Sequence, residues 1–227
     1  MNFLISSLRL YPPNKIVHHQ NSSCYDSFVR FILVNEMASR QAKVLSEANL
    51  CELLAFAEST RQPSRNRLIV LLSAKAGLRA GEIANLTWDM VLGGDGRLGA
   101  VIELRDWAAK KGSGRSIPIH PRLAKALGTW SHDSDLLGPV IRSERGGPMT
   151  PLSIVVWFNR AYKALGLRGC SSHSGRRTFI TRAARLVHRA GGSLRDVQLL
   201  AGHRSIQTTQ RYIDGDSDSQ RRLVALV

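Results

Sequence analysis

The sequence predicts a mainly helical fold with one small antiparallel β-sheet, an α+β arrangement, and three observations carry that expectation. Apolar residues recur at helical spacing through most of the chain from residue 44 onward. Two short runs rich in β-formers, at residues 101–104 and 116–119, flank a glycine-containing turn. Glycine or proline punctuates the segments between.

Taken in order, Ser46 is placed to cap a helix whose Leu50, Leu53, Leu54 and Ala57 share one face. A second helix follows Pro63-Ser64, carries the apolar run 68–72 and stops at Gly77. A short helix then holds Glu82, Ile83 and Leu86, with Trp88 beyond it. Gly93-Gly94-Asp95-Gly96 is turn chemistry, and Lys110-Lys111-Gly112-Ser113-Gly114 is a flexible basic hairpin tip between the two strands. A helix is expected over 121–130, and another opens with Thr150 as cap and Pro151 in its first turn, running to Gly166. Ser172 or Ser174 is the expected cap of the next, which reaches about Arg189 before Gly191-Gly192 breaks it. Ser193 starts a helix that Gly202 ends, and a last short one covers 206–213.

Residues 1–36 show no sustained period, and residues 1–43 read as a poorly ordered extension with Met37 as a candidate natural start, a functional N-terminal arm being the alternative. Residues 214–227 form a tail that ends in the apolar run Leu223-Val224-Ala225-Leu226-Val227.

Among 227 residues, 43% are hydrophobic and 22% charged, which is globular composition and excludes wholesale disorder. The net charge is +15, and residues 1–36 hold only +1 of it. Such an excess calls for a polyanionic partner, DNA or RNA first and an anionic membrane surface second. The cations are 25 Arg and 7 Lys. That bias suits two-pronged phosphate binding, although a GC-rich genome enriches arginine as well. Cys24, Cys51 and Cys170 are an odd number at no metal-ligand spacing, which points to a reducing compartment and away from a disulfide scaffold. No apolar run reaches the roughly 18 residues of a membrane helix, and Met1–Leu10 lacks the marks of a signal peptide. The expectation is a soluble intracellular, cytoplasmic protein.

Three separated features suit a phosphodiester. Gly77-Leu78-Arg79-Ala80-Gly81-Glu82 puts an Arg just past a helix end with a Glu three residues on, able to orient it. A surface ion pair has the same spacing. His173-Ser174-Gly175-Arg176 opens a stretch, 173–195, with six Arg and no acid before position 196. His-x-x-Arg alone is expected about 0.8 times by chance, so its setting matters more than the pair. Gly202-His203 is followed by Thr208-Thr209 and Tyr212, and a Tyr nine residues after a His is expected only about 0.1 times by chance. A tyrosine nucleophile needs nearby cations, because its free pKa is near 10. A core tyrosine is the competing explanation.

These residues resemble the catalytic domain of the tyrosine recombinases, or phage integrases. Its Gly-Leu-Arg-x-x-Glu box matches at 77–82, its His-x-x-Arg box at 173–176 and its Gly-His…Thr-Thr-x-x-Tyr box at 202–212. The family's lysine precedes a strand-borne proline by eight residues, which points from Pro118 to Lys110, with Lys111 as the rival. The resemblance makes residues 44–213 the catalytic domain of a site-specific DNA recombinase.

It implies that Arg79 and Arg176 clamp the scissile phosphate, Glu82 supports Arg79, and Tyr212 attacks to give a 3′-phosphotyrosyl bond. Lys110 protonates the leaving 5′-oxygen, His173 handles the tyrosyl proton and His203 hydrogen-bonds the phosphate. No metal or other cofactor is implied. The expected partners are double-stranded DNA, further copies of the chain as dimer or tetramer, and a helper DNA-binding protein, with no membrane. Arg61, Arg65, Arg67, Arg177, Arg204 and Arg211 are candidate DNA contacts, and the apolar tail is a candidate docking element in trans.

The match departs from the family at Gly175, where a Leu is usual, at Arg177 for His and at Ala201 for Leu. Gly175 is expected to cost about 1 kcal/mol in a helix and to leave a packing role unfilled. Too few residues precede Val44 for the family's N-terminal clamp domain, so weaker non-specific DNA affinity is expected. The alternatives are a non-catalytic DNA-binding regulator and a type IB topoisomerase-like relaxase.

Overall fold

Ser46 begins the first helix as expected. Its hydroxyl accepts from Asn49 N at 3.0 Å while Asn49 Oδ1 accepts from Ser46 N at 3.3 Å, a reciprocal cap at the start of α1 (Glu47–Glu58). The computed structural model describes residues 42–132, 135–212, 221, 224, 225 and 227. The expectations for residues 1–41, including Met37, and for most of the tail after Tyr212 lie outside the described residues.

α2 (Pro63–Lys75) is the central helix. Leu68 through Leu72 are all buried, which fits a continuous apolar run rather than a stripe, because α1, α4 and α6 all pack on it. Gly77 ends this region with φ +66°, and Phe179 fills the place a side chain there would take. α3 (Ala80–Ala84) starts directly after Arg79, whose backbone N–H is received by the Glu82 carboxylate at 3.0 Å. Trp88 follows in a short 3₁₀ turn and is fully buried.

The sheet consists of β1 (Val101–Leu104) and β2 (Arg115–Pro118), antiparallel, with Ile102 opposite Ile117 and Leu104 opposite Arg115. β2 therefore starts one residue earlier than the sequence suggested, and that residue is an arginine on the face of Ile117.

α4 (Pro121–His132) runs two residues past the predicted Trp130 end, and α5 (Pro151–Ala164) is capped by Thr150, whose hydroxyl accepts from Ser153 N at 3.1 Å. α6 (Ser174–Leu186) differs from expectation at both ends. Neither serine caps it: His173 occupies the cap position, and the Ser174 hydroxyl accepts instead from Ser171 N at 3.0 Å. Its expected last turn is a 3₁₀ turn, Val187–Ala190. α7 (Leu194–Ala201) opens with a Ser193/Asp196 capping box and ends at Gly202 in the left-handed region. α8 (Ile206–Gln210) is shorter than predicted, and Tyr212 follows in a turn, its N–H donated to Thr209 O at 3.0 Å.

The described residues bury two apolar clusters. The larger joins α1 to α5 and the sheet, and the smaller gathers Ile180, Ala184, Val187, Val197 and Ala201, with Phe179 and Tyr212 packed against it. Among the described residues no helix is long and apolar enough to cross a membrane. The fold is thus mostly helical with one two-stranded antiparallel sheet.

Candidate active site

The site grows from helix ends. The C-terminal carbonyls of a helix lack intrahelical partners and carry partial negative charge, so a cation placed there is held firmly. Arg176 uses two such places. Its Nη1 donates to Gly77 O, after α2, and its Nη2 to Ala201 O, at the end of α7, both at 2.6 Å. The side chain thereby ties the first motif box to the third and is only 4% exposed as a residue. Burial, and then the neighbouring Arg79, push its pKa below the usual arginine value, partly offset by Glu82.

Glu82 is the anion at the centre. Its side chain is 1% exposed and pairs with two arginines. Arg79 Nη1 donates to Oε1 at 2.6 Å, and Arg115 Nη2 donates to Oε2 at 2.9 Å. Burial pushes the Glu82 pKa up, but Arg115 and Arg79 outweigh it and hold the carboxyl at about 2. Arg79 keeps 22% of its side chain exposed, so it has a face left for a ligand.

Sequence reasoning missed Arg115. Besides Glu82, it donates from Nε to Leu200 O at 2.9 Å. The signal was the alternation Arg115, Ile117, which places an arginine on the inward face of a strand. Starting the strand at Ser116 hid it. Gln198 was missed as well; its Nε2 donates to His203 O at 2.9 Å and fixes the backbone there.

His203 and Tyr212 come together. Their rings stack with centroids 5.6 Å apart and an interplanar angle of 24°, and His203 Nδ1 shares a hydrogen bond of 2.9 Å with the Thr209 hydroxyl. Burial first, and then Arg176, Arg79 and Arg115, lower the His203 pKa to about 4. The ring is therefore neutral at pH 7. On the opposite side Arg177 lies with Cζ 5.5 Å from the Tyr212 ring centroid, a cation–π contact.

His173 is exposed as a residue, but desolvation and then Arg176, Arg79 and Lys110 lower its pKa, which brings all four into one electrostatic neighbourhood. Lys110 is exposed on the hairpin, and Lys111 beside it has φ +61°, an uncommon conformation for a side-chain-bearing residue.

The outlying arginines divide. Arg61 pairs with Glu144 at 3.0 Å at the surface, and half-buried Arg67 pairs with exposed Glu58. Such pairs at or near the surface are worth about 0–1 kcal/mol, so a phosphate can displace them. Arg65, expected among the DNA contacts, is buried. Its Nε donates to Asn66 Oδ1 at 3.1 Å and its Nη1 to Arg142 O at 3.4 Å, which leaves it little surface for phosphate. Arg204 donates from Nη2 to Lys111 O at 2.5 Å, and Arg211 is exposed.

The Gly175 expectation is corrected. A Cβ at this position would lie 2.9 Å from Ser73 Cβ and closer still to its hydroxyl, so the space is already filled by α2. Glycine is what lets the start of α6 meet the central helix.

The sequence profile of the phage integrase family matches residues 43–218. Tyrosine recombinase XerC of Rhizobium meliloti (strain 1021) is 29% identical over 214 residues, 84% of this chain and 64% of that protein. The Mesorhizobium japonicum XerC is 31% identical over 167 residues, 71% of this chain and 50% of that protein. The chain spans about half to two thirds of the length of these relatives. Among solved structures, XerA recombinase superposes with a TM-score of 0.64 at 25% identity, covering 83% of this chain and 64% of that one. The Tn1549 transposon integrase with circular intermediate DNA gives 0.65 at 20%, covering 84% and 67%. A lambda integrase dimer bound to a COC′ core site gives 0.61 at 19%, covering 85% and 57%.

Proposed function

From the phage integrase family, to which this chain belongs, we propose that the protein is a site-specific recombinase that cuts and rejoins double-stranded DNA through a 3′-phosphotyrosyl intermediate. The observation that carries this reading is the meeting of the three motif boxes. Arg176 bridges the ends of two helices, and just past the second of them the His203 ring stacks on Tyr212 with centroids 5.6 Å apart.

In this reading residues 44–213 are the catalytic domain and 214–227 a tail. The scissile phosphate lies between Arg79 and Arg176, whose charges offset the negative charge of the pentacoordinate transition state. Tyr212 Oη attacks phosphorus, its proton passing to His173. The bond from phosphorus to the 5′-oxygen breaks, and Lys110 gives that oxygen a proton. One phosphoester replaces another, so the step needs no external energy source. The Thr209 hydroxyl can donate to His203 Nδ1, which leaves the ring proton on Nε2, free to meet a phosphate oxygen. Glu82 holds Arg79 and does not touch DNA. Arg61, Arg67, Arg177, Arg204 and Arg211 add phosphate contacts that set affinity rather than sequence preference. Self-association on DNA follows from the need for two cut duplexes to exchange ends, a helper DNA-binding protein supplies grip outside this domain, and the work is done in the cytoplasm.

A nicked duplex with a randomised core, incubated with the protein and resolved on a denaturing gel, tests the reading. The expected result is a protein–DNA adduct that disappears in Tyr212→Phe. No adduct, with binding retained, favours a non-catalytic regulator. Supercoil relaxation without sequence preference favours a topoisomerase-like relaxase.

A further inference from the structure

The proton donor of the proposed reaction sits on an exposed hairpin, where an untethered lysine would spend little time at the leaving oxygen. The hairpin is not untethered. At its base, Arg115 sends its two terminal nitrogens to Glu82, at 2.9 and 3.3 Å, and its Nε to Leu200 O at 2.9 Å. Leu200 directly precedes Ala201, whose carbonyl holds Arg176. At its tip, Arg204 holds Lys111 O at 2.5 Å. Inside the loop, Gly114 N–H donates to Asp106 Oδ1 at 2.8 Å and the Ser113 hydroxyl to Lys110 O at 2.9 Å.

We propose that Arg115 and Arg204 are positioning residues that lock the lysine hairpin to the end of α7, fixing where Lys110 meets the leaving 5′-oxygen relative to the arginine clamp. The inference rests on the strand-transfer reading given above. The geometry favours a strut over a phosphate contact for Arg115. Its side chain is 5% exposed, and three acceptors on two other elements take its fork. A lysine there keeps the charge beside Glu82 but cannot reach Glu82 and Leu200 together. Arg204 differs in being exposed, so its removal leaves the core intact.

The test uses the duplex recovered as the covalent adduct, made once normally and once with sulfur replacing the 5′-bridging oxygen at the cut. A thiolate leaves without being protonated, since thiols have a pKa of about 8.5, far below that of an alcohol. Single-turnover cleavage at saturating DNA is compared for the wild type, Lys110→Ala, Arg115→Lys and Arg204→Ala. The expected result is at least a tenfold loss for all three variants on the oxygen substrate. On the sulfur substrate each should return to within about threefold of wild type. If Lys110→Ala is rescued but Arg115→Lys and Arg204→Ala stay equally impaired on sulfur, or cut the oxygen substrate normally, the positioning role is wrong. Should Arg115→Lys fail to fold, Arg204→Ala decides alone. A wild type that forms no adduct overturns the recombinase reading and this inference with it. An unrescued Lys110→Ala overturns the assignment of Lys110 and the inference that depends on it.

Discussion

The two arginines proposed to clamp the phosphate illustrate how neighbouring residues of the same type divide their labour. Arg79 is partly exposed and answers to one carboxylate, whereas Arg176 is buried and satisfies two helix-end carbonyls. Arg79→Ala should therefore lower adduct formation by about 100-fold while leaving the melting temperature within a few degrees, because Glu82 keeps Arg115. Arg176→Ala should lose the same activity and also several degrees of melting temperature, since each orphaned buried carbonyl costs about 1–3 kcal/mol. Equal melting curves for the two variants would contradict this division. Glu82 makes a pH prediction. Its folded pKa of about 2 lies below its ordinary value of 4.5, so the folded state favours the carboxylate. That stability is fully present above pH 4.5 and is lost as pH falls towards 2, on the order of 3 kcal/mol. Urea melts stepped through that range should show the loss in the wild type, and Glu82→Gln should flatten it. The motif residues were legible in the sequence because their chemistry sits at fixed spacing. Arg115 was not, because its meaning depends on Glu82, 33 positions away, and on a strand start that shifted by one residue.

Elements were legible wherever a local signal decided them. Ser46 and Thr150 each cap the helix they were expected to cap, and Ser193 starts the helix it was expected to start, since such signals are settled within four residues. The start of α6 was misread because its serines serve other purposes, with Ser174 turned back to Ser171 N and His173 at the cap. The hairpin, expected to be loose on account of its glycines, is anchored by arginines from outside its own turn. Gly175 shows the same limit most sharply, for helix propensity alone counts it a defect. Its close approach to Ser73 makes it a requirement instead. Gly175→Leu, which restores the residue usual in the family, should destabilise the protein by about 1–3 kcal/mol through overpacking. Gly175→Ala should also destabilise, and pairing it with Ser73→Gly should recover part of the loss, a coupling that separate mutations cannot show. Thermal melts of the wild type, the two single variants and the double variant measure it. Additive losses would mean that the two residues do not share the space.

At the scale of the whole molecule, charge and fold act on different steps. The net charge of +15 suits a polyanionic partner but selects no bond to cut, and buried Glu82 cancels only one of the two charges of Arg79 and Arg115 that it pairs with. In the proposed reading, long-range attraction to phosphate comes mainly from exposed Arg61, Arg204 and Arg211 and from half-buried Arg67, with Arg61 and Arg67 each holding a carboxylate in the free protein. Each phosphate that such a residue neutralises releases a condensed counterion, so affinity should fall steeply as salt rises. Six or more contacts correspond to a loss of about 10³ between 50 and 200 mM salt. Fluorescence anisotropy on a duplex of arbitrary sequence would follow this loss. Arg61→Ala and Arg67→Ala should each lower the slope of log affinity against log salt by about 1. Arg65→Ala should leave that slope unchanged and instead cost stability, because its guanidinium is buried against Asn66 and Arg142. A slope near zero in the wild type would remove phosphate attraction as the means by which this chain finds its substrate, and the arginine-rich composition would then reflect the genome rather than the ligand.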